Sequence, residues 1–304
     1  LSKTASAISR IVGSSAADGR HERREHDMTT STSIKTNRPA TGHDSEHTTL
    51  LAGYITSIAE EGERFALTAA AGGLDVPVSA CPGWDIRELV KHVGLVHLWA
   101  ATNIEYPSDR WLSVNDMSDL ASYWPDHATS WPADADLVTW YRSTLTNLCD
   151  VLGSAPDDHH CLTFLPAPSP LVMWARRQAS EIAVHRYDAE AARGRPSRFE
   201  PRFAADMLDE LLTGFAPRMR PHDATTDCVL RVAAGDVGDH YFITMGPSGI
   251  RTEHHGDHHD LAISGSAADV YVLMWNRPKG PSIRLEGDAR VLDLWRETCR
   301  IQWL

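Results

Sequence analysis

Four segments in the first two thirds of the chain carry apolar residues every three or four positions, the period of a helix with one buried face. Residues that end helices follow them, with Gly72 and Gly73 after the first segment and Gly194 after the fourth. Before the second segment, Asp85 is placed to cap a helix, and Glu88 to complete a capping box. The pattern predicts four helices, over residues 48–71, 85–106, 134–153 and 171–193.

The remainder of the chain has other patterns. Residues 107–133 show no regular period and contain three prolines and four tryptophan or tyrosine residues. A loop this long inside a compact domain is usually functional or flexible. A connecting helix is predicted from Pro201 to about Met219. Short apolar runs then predict strands over 228–233, 241–245, 250–254, 261–264 and 282–285, and helices over 266–275 and 289–303. The predicted fold class is α+β, with an N-terminal four-helix bundle followed by a small C-terminal α+β domain.

The beginning of the chain differs from the rest in composition. Residues 1–47 are rich in Ser, Thr, Arg, His and Asp and hold few apolar positions. Such a segment cannot bury enough apolar surface to offset the entropy of ordering, so we expect a disordered tail. The sequence therefore predicts three parts: the tail over 1–47, a helical bundle over 48–198, and a linking helix with an α+β domain over 199–304.

Charge and cysteine usage narrow the classes of function. The formal net charge is -12, which argues against nucleic acid or an anionic membrane as a main partner, because both require a basic surface. No apolar run is long enough to span a bilayer. The five cysteines are scattered and lack CxxC spacing, so we expect reduced thiols in a cytoplasmic protein. The sequence leaves the oligomeric state open.

Three residues of the predicted bundle suggest a metal site. His92 lies one turn after Leu89 and one turn before Val96, at the edge of a buried stripe, while Glu181 and His185 share a face of the fourth helix. Burying these groups without partners is costly, and a divalent metal would supply a partner. Three protein ligands leave a position for water or substrate, and this set suits Zn²⁺ first but also Fe²⁺ or Ni²⁺. A hydrogen-bonded Glu–His pair and a separate core histidine are the alternatives.

Two runs around these residues carry a family resemblance. They are 81–94, CPGWDIRELVKHVG, and 181–190, EIAVHRYDAE. Both resemble signatures of the mycothiol-dependent maleylpyruvate isomerase family, a member of the DinB-like superfamily of metal-binding four-helix bundles. The resemblance covers roughly residues 48–304. It implies that the family's metal ligands, usually to zinc, fall here on His92, Glu181 and His185.

The resemblance also implies a chemistry. In the family the thiol of mycothiol is the cosubstrate, and a coordinated thiol is deprotonated to the nucleophilic thiolate. In an isomerase the thiolate adds to a cis double bond of a small electrophile, the bond rotates and the thiol leaves. In an S-transferase the adduct is the product. A protein that attaches mycothiol to a specialised metabolite and a non-catalytic metal-binding stress or regulatory protein are the other possibilities.

Other residues are weaker candidates. The resemblance places at Arg277 a basic residue that contacts the thiol cofactor or the substrate, although an arginine there also suits the end of a helix. Asp188 is placed either to orient a ligand imidazole or to pair with a surface arginine. We expect a packing or loop contact from His97 and a structural turn around Cys81. The histidine-rich run 254–259 is predicted to form a solvated hairpin turn.

Overall fold

The computed structural model describes residues 42–112, 117–128, 130–219 and 225–299. Four long helices form where the apolar period predicts them, and they pack as a bundle in which α1 lies against α3 and α4, and α2 lies against the same two helices from the other side. Their bounds are α1 Gly42–Ala70, α2 Ile86–Glu105, α3 Asp134–Ser154 and α4 Pro170–Ala192.

The start of α1 differs from its predicted position. The helix begins at Gly42 rather than at residue 48, so residues 42–47, which we assigned to the tail, are helical. Residues 42–47 include no apolar side chain, so apolar spacing could not mark them as helical. The rest of the predicted tail, residues 1–41, lies outside the described residues.

Local interactions explain where α2 begins and where α4 ends. Asp85 accepts a hydrogen bond from the backbone N–H of Glu88 at 3.0 Å, as predicted for the N-cap of α2. The Glu88 carboxylate, however, accepts from Lys91 Nζ at 3.0 Å, so it serves a surface ion pair. The helix α4 ends shortly before Gly194, which has a φ of +65° that favours glycine.

The irregular segment between α2 and α3 is anchored by tryptophan side chains. Two of its backbone carbonyls accept hydrogen bonds from indole N–H groups of the bundle, Leu112 O from Trp99 and His127 O from Trp140. Within the segment, Trp124 donates to Thr102 Oγ1 at 2.6 Å. A short 3₁₀ turn, Met117–Leu120, buries both of its end residues. These indole hydrogen bonds join the described part of the segment to the bundle, because a buried indole N–H usually finds a hydrogen-bond partner.

The predicted connecting helix has three parts. α5, Pro201–Asp209, continues into a π-helical turn, Glu210–Phe215, and a 3₁₀ turn, Ala216–Arg218. Hydrophobic periodicity does not reveal such a change of helix type, which frequently marks functional sites. The π-helical turn is close enough for Glu210 to bind Arg177 on α4.

The C-terminal part is a five-stranded sheet with two helices. The strand order is β3-β2-β1-β4-β5; β1 and β4 are parallel, and the other neighbours are antiparallel. The elements are β1 Cys228–Ala234, β2 Asp239–Gly246, β3 Gly249–Glu253, β4 Leu261–Gly265, α6 Ala267–Met274, β5 Arg284–Gly287 and α7 Arg290–Thr298. Together with the bundle, this sheet confirms the predicted α+β class.

The last strand starts two residues later than predicted because Ser282 forms hydrogen bonds with the start of α6. Its backbone N–H donates to Asp269 at 2.8 Å, and its Oγ accepts from the N–H of Ser266, the N-cap of α6. The predicted end of the final helix, residues 300–303, lies outside the described residues. No helix in the described part of the chain combines the length and apolar character that crossing a membrane requires.

Candidate metal centre

Three buried side chains meet between α2 and α4. Oε1 of Glu181 lies 3.2 Å from Nε2 of His92 and 3.3 Å from Nε2 of His185. The two imidazole rings are nearly perpendicular, at 84°, with centroids 5.2 Å apart. One ligand atom from each residue lies within 4.8 Å of the other two. The structure thus brings the three sequence-predicted ligands together, with two imidazole nitrogens and one carboxylate oxygen around a common point.

The helices explain why these residues converge. Glu181 and His185 are one turn apart on α4, so both side chains leave the same face. His92 lies near the start of α2, on a part of the helix that is buried along its whole circumference. Because α2 packs against α4, an imidazole there meets that face directly.

The donor set fits a divalent ion. Nε2 of His185 is buried and makes no hydrogen bond, since its contact with Glu181 at 3.3 Å lacks the required geometry. A buried nitrogen without a partner is costly, and an ion bound by the three residues would provide one. The ionisation states also suit a metal: burial lowers the pKa of His92, which keeps its imidazole neutral.

The ionisation states of the two other candidate ligands, Glu181 and His185, are strongly coupled. Burial raises the pKa of Glu181, but the close contacts of its carboxylate with the imidazoles of His185 and His92 and the charge of Arg177 outweigh it and hold the pKa well below its usual range. Burial lowers the pKa of His185, yet the hydrogen bond with Asp188 and the close polar contacts with Cys81 and Glu181 outweigh that and raise it. The surrounding groups therefore favour positive charge at this point, which a divalent ion would supply in place of a proton.

Asp188 and Arg277 fix the orientation of His185. Nδ1 of His185 lies 3.1 Å from Oδ2 of Asp188, so it is the protonated nitrogen and leaves Nε2 to face the centre. Asp188 in turn accepts from both Nε and Nη2 of Arg277, whose Nη1 donates to Trp275 O at 2.7 Å. Of the two placements expected for Asp188, the structure shows the one beside the His185 imidazole, and the role of that imidazole as a metal ligand stays a prediction. Arg277 therefore reaches the centre through Asp188, and a contact with the thiol stays a prediction.

Two residues that the sequence analysis missed hold the far side of Glu181. Arg177 donates from Nη2 to Oε2 of Glu181 at 2.7 Å and from Nη1 to Oε2 of Glu210 at 2.6 Å. Its guanidinium lies over the rings of Phe215 and Trp275, at 5.0 and 5.6 Å from their centroids. The spacing of Arg177 and Glu181, one turn apart on α4, is a signal that could have found the first pair. Nothing in the sequence could have found Glu210.

The turn before α2 forms one wall of the centre. The Trp84 ring lies 4.9 Å from the ring of His92, and Sγ of Cys81 lies 3.9 Å from Oδ2 of Asp188. Gly83 takes a φ of +85°, which lets Trp84 N–H close the turn on Cys81 O. Cys81, His185 and Asp188 form a second group of possible ligands. The two-pronged bond of Arg277 to Asp188 opposes a cation there.

The remaining histidines lie elsewhere. His97 is fully buried, its Nδ1 lies 3.2 Å from Thr144 Oγ1, and burial lowers its pKa to about 3, so it packs as a neutral ring. In the run 254–259 all four histidines are exposed, and His258 lies 3.3 Å from Asp260. Neither of the two groups of possible metal ligands found among the described residues includes this run, and its exposed histidines agree with a solvated segment. The predicted hairpin is wrong, because β2 and β1 lie between β3 and β4 in the sheet, so the run connects two strands that do not pair.

Comparisons with known proteins extend over both regions. Residues 55–190 match the mycothiol maleylpyruvate isomerase N-terminal domain, and residues 202–294 match the C-terminal domain of the same family. A crystal structure of the mycothiol-dependent maleylpyruvate isomerase is similar, with 13% sequence identity, a TM-score of 0.53, and coverage of 78% of this chain and 92% of that chain. A histidine-to-alanine variant of that isomerase gives the same values. At this identity the structural likeness concerns the fold, and none of the curated proteins compared with the chain matches it.

Proposed function

The chain belongs to the mycothiol-dependent maleylpyruvate isomerase family, and we propose on this premise that it is an enzyme that uses a divalent metal to activate a thiol for addition to a small electrophile. In this proposal His92, Glu181 and His185 hold the ion, Zn²⁺ is the first choice, and mycothiol is the thiol. The observation that carries the proposal is the buried Nε2 of His185, which has no hydrogen bond and faces the other two ligand atoms.

The charges around the centre favour an anionic ligand. Two ion pairs flank the ligands, Asp188 with Arg277 on one side and Glu210 with Arg177 on the other, and each pair balances itself. The remaining protein charge is the carboxylate of Glu181. A divalent ion would therefore leave the centre with one positive charge, and it would deprotonate a coordinated thiol to the thiolate that is the nucleophile.

The chain's own residues orient and shield the reaction. Asp188 keeps the proton of His185 on Nδ1, so that Nε2 stays directed at the centre. Trp84 covers the His92 side, and the ligand side chains are almost completely buried, so the local dielectric constant is low and charged contacts are strong. An electrophile bound beside the thiolate accepts it at a cis double bond. Addition would give an enolate. Rotation and expulsion of the thiolate would then give the trans isomer, whereas protonation of the enolate carbon would leave the thiol attached as an S-conjugate.

The experiment that tests the proposal joins metal content to thiol-dependent turnover. The full chain would be loaded with zinc and assayed with mycothiol against a maleylpyruvate-type cis-enedioate and simple electrophiles, measuring both isomer and conjugate. We expect turnover only when metal and thiol are both present, loss of turnover in His185→Ala, and normal turnover in His258→Ala, a control at an exposed histidine. A metal-loaded protein without thiol-dependent turnover would instead favour the non-catalytic metal-binding alternative.

A further inference from the structure

The two carboxylate oxygens of Glu181 have different neighbours. Oε1 faces both imidazoles, at 3.2 Å from His92 and 3.3 Å from His185. Oε2 accepts a charge-assisted hydrogen bond from Nη2 of Arg177 at 2.7 Å. All four residues are at least nine-tenths buried, so solvent does not compete for either oxygen. One oxygen is thus directed at the centre, and the other is occupied on the opposite side.

Arg177 also contacts residues on the side away from Glu181. Its Nη1 donates to Glu210 at 2.6 Å, and its guanidinium carbon lies 5.0 Å from the ring centroid of Phe215 and 5.6 Å from that of Trp275. Glu210 and Phe215 stand at the two ends of the π-helical turn, and Trp275 follows α6. The guanidinium therefore spans two carboxylates, which an ammonium group with a single nitrogen cannot do in the same geometry.

We propose that Arg177 is a positioning residue that makes Glu181 a one-oxygen ligand and so keeps the next coordination position open. The inference rests on the proposed metal-dependent function. A carboxylate binds a cation through one oxygen or through both. If Oε2 were released, Glu181 would be able to turn both oxygens to the ion and occupy the position that a thiol needs. Occupation of Oε2 by Arg177 prevents this second contact.

The same helix supplies a matched control. Arg186 and Glu190 are also one turn apart on α4, buried and ion-paired, but their partners are Glu61, Ser197 and a backbone carbonyl instead of imidazoles. A substitution at Arg186 therefore removes a buried arginine from the same helix without touching the centre. It reports what loss of a buried ion pair does to stability alone.

The test compares Arg177→Met, Arg177→Lys and Arg186→Met in the full-length protein. The readouts are zinc affinity by chelator competition, the number of oxygen and nitrogen ligands by X-ray absorption, and the visible spectrum of the Co²⁺-loaded protein, which responds to coordination number. We expect Arg177→Met to bind zinc about 10- to 100-fold more weakly and to gain a ligand oxygen. Arg177→Lys should retain part of the affinity but show the same added ligand.

Arg186→Met should lower the melting temperature and leave the Co²⁺ spectrum of the folded protein as in the wild type. If Arg177→Met does not fold, Arg177→Lys decides the question by the same readouts. An unchanged ligand count and affinity in the folded Arg177 variant overturns this inference but leaves the proposed function standing. A wild-type chain that binds no zinc or Co²⁺ after repletion overturns both.

Discussion

Helix α4 carries two buried arginine–glutamate pairs at the same spacing, and they differ in what surrounds them. Around the pair Arg186–Glu190, the guanidinium donates to Glu61, to Glu190 and to a backbone carbonyl, and it lies over the Phe199 ring at 4.5 Å. Around the pair Arg177–Glu181, one carboxylate oxygen faces two imidazoles, and Nε2 of His185 has no hydrogen bond.

The difference separates a structural cluster from a cluster prepared for a ligand. In the described part of the chain, no buried polar atom of Arg186, Glu61 or Glu190 lacks a hydrogen bond, so this cluster is complete without another group. It joins α1, α4 and the link before α5. In the cluster at Glu181, Arg177 has a partner for each terminal nitrogen, whereas Nε2 of His185 and Oε1 of Glu210 have no hydrogen bond. Because burial is similar in both, the incomplete set of partners, and not burial, is what supports the proposed metal site.

The largest effect is expected from removing a ligand of the incomplete cluster. His185→Ala deletes the nitrogen that has no hydrogen bond, so we expect the chain to lose its bound divalent ion altogether. Metal analysis of the dialysed protein by mass spectrometry checks this. Retention of stoichiometric metal would place the ion elsewhere. The exposed His258→Ala is the control, and it should keep the metal.

Removing the arginine of the complete cluster should act on stability. Arg186→Met leaves Glu61 and Glu190 buried without their main counter-charge. Breaking a buried ion pair in this way costs about 3–5 kcal/mol of unfolding free energy. Urea unfolding at neutral pH measures the loss, and the folded variant should still bind metal. A loss below about 1 kcal/mol, the range of exposed pairs, would mean that the cluster is solvated.

A smaller effect is expected from the group that orients His185. Asp188→Asn keeps the shape of the side chain but removes the charge that pairs with Arg277 and polarises the imidazole. We expect zinc to bind about 10- to 100-fold more weakly, as is usual when such a partner is lost. Competition with a chromophoric chelator measures this change. Equal affinities in Asp188→Asn and wild type would show that His185 needs no orienting carboxylate.

The smallest effect is expected from substitutions in the histidine-rich run 254–259. Replacing His254, His255, His258 and His259 together by serine removes exposed side chains, so unfolding free energy should change by no more than about 0.5 kcal/mol per site. The high-affinity metal should remain. If the substituted chain loses that metal, the histidine-rich run and not the bundle is the metal site.

Periodicity predicted most of the fold because each helix and strand packs one face. It identified α2, α3, α4 and the first four strands within a few residues. It missed the helical residues 42–47, which have no packing pattern, and the π-helical turn, whose different hydrogen bonding leaves no trace in apolar spacing. It also misplaced the start of β5, because it could not foresee the hydrogen bonds of Ser282.

The site was predictable to a smaller extent. Spacing on α4 placed Glu181 beside His185, whereas His92 was grouped with them by its buried position and by the family resemblance, since sequence distance does not determine where two helices meet. The pairing of Arg277 with Asp188, and that of Glu210 with Arg177, connects elements far apart in sequence. Only the tertiary structure shows that these arginines are held by carboxylates next to the ligands.

One matched pair of substitutions tests the central claim most directly. Glu181→Gln and Glu190→Gln make the same change in the two clusters of α4, because each replaces a carboxylate by a neutral amide. After zinc repletion and dialysis, we expect about one ion per chain in the wild type and in Glu190→Gln, and almost none in Glu181→Gln. Equal metal contents in the two variants would contradict the account.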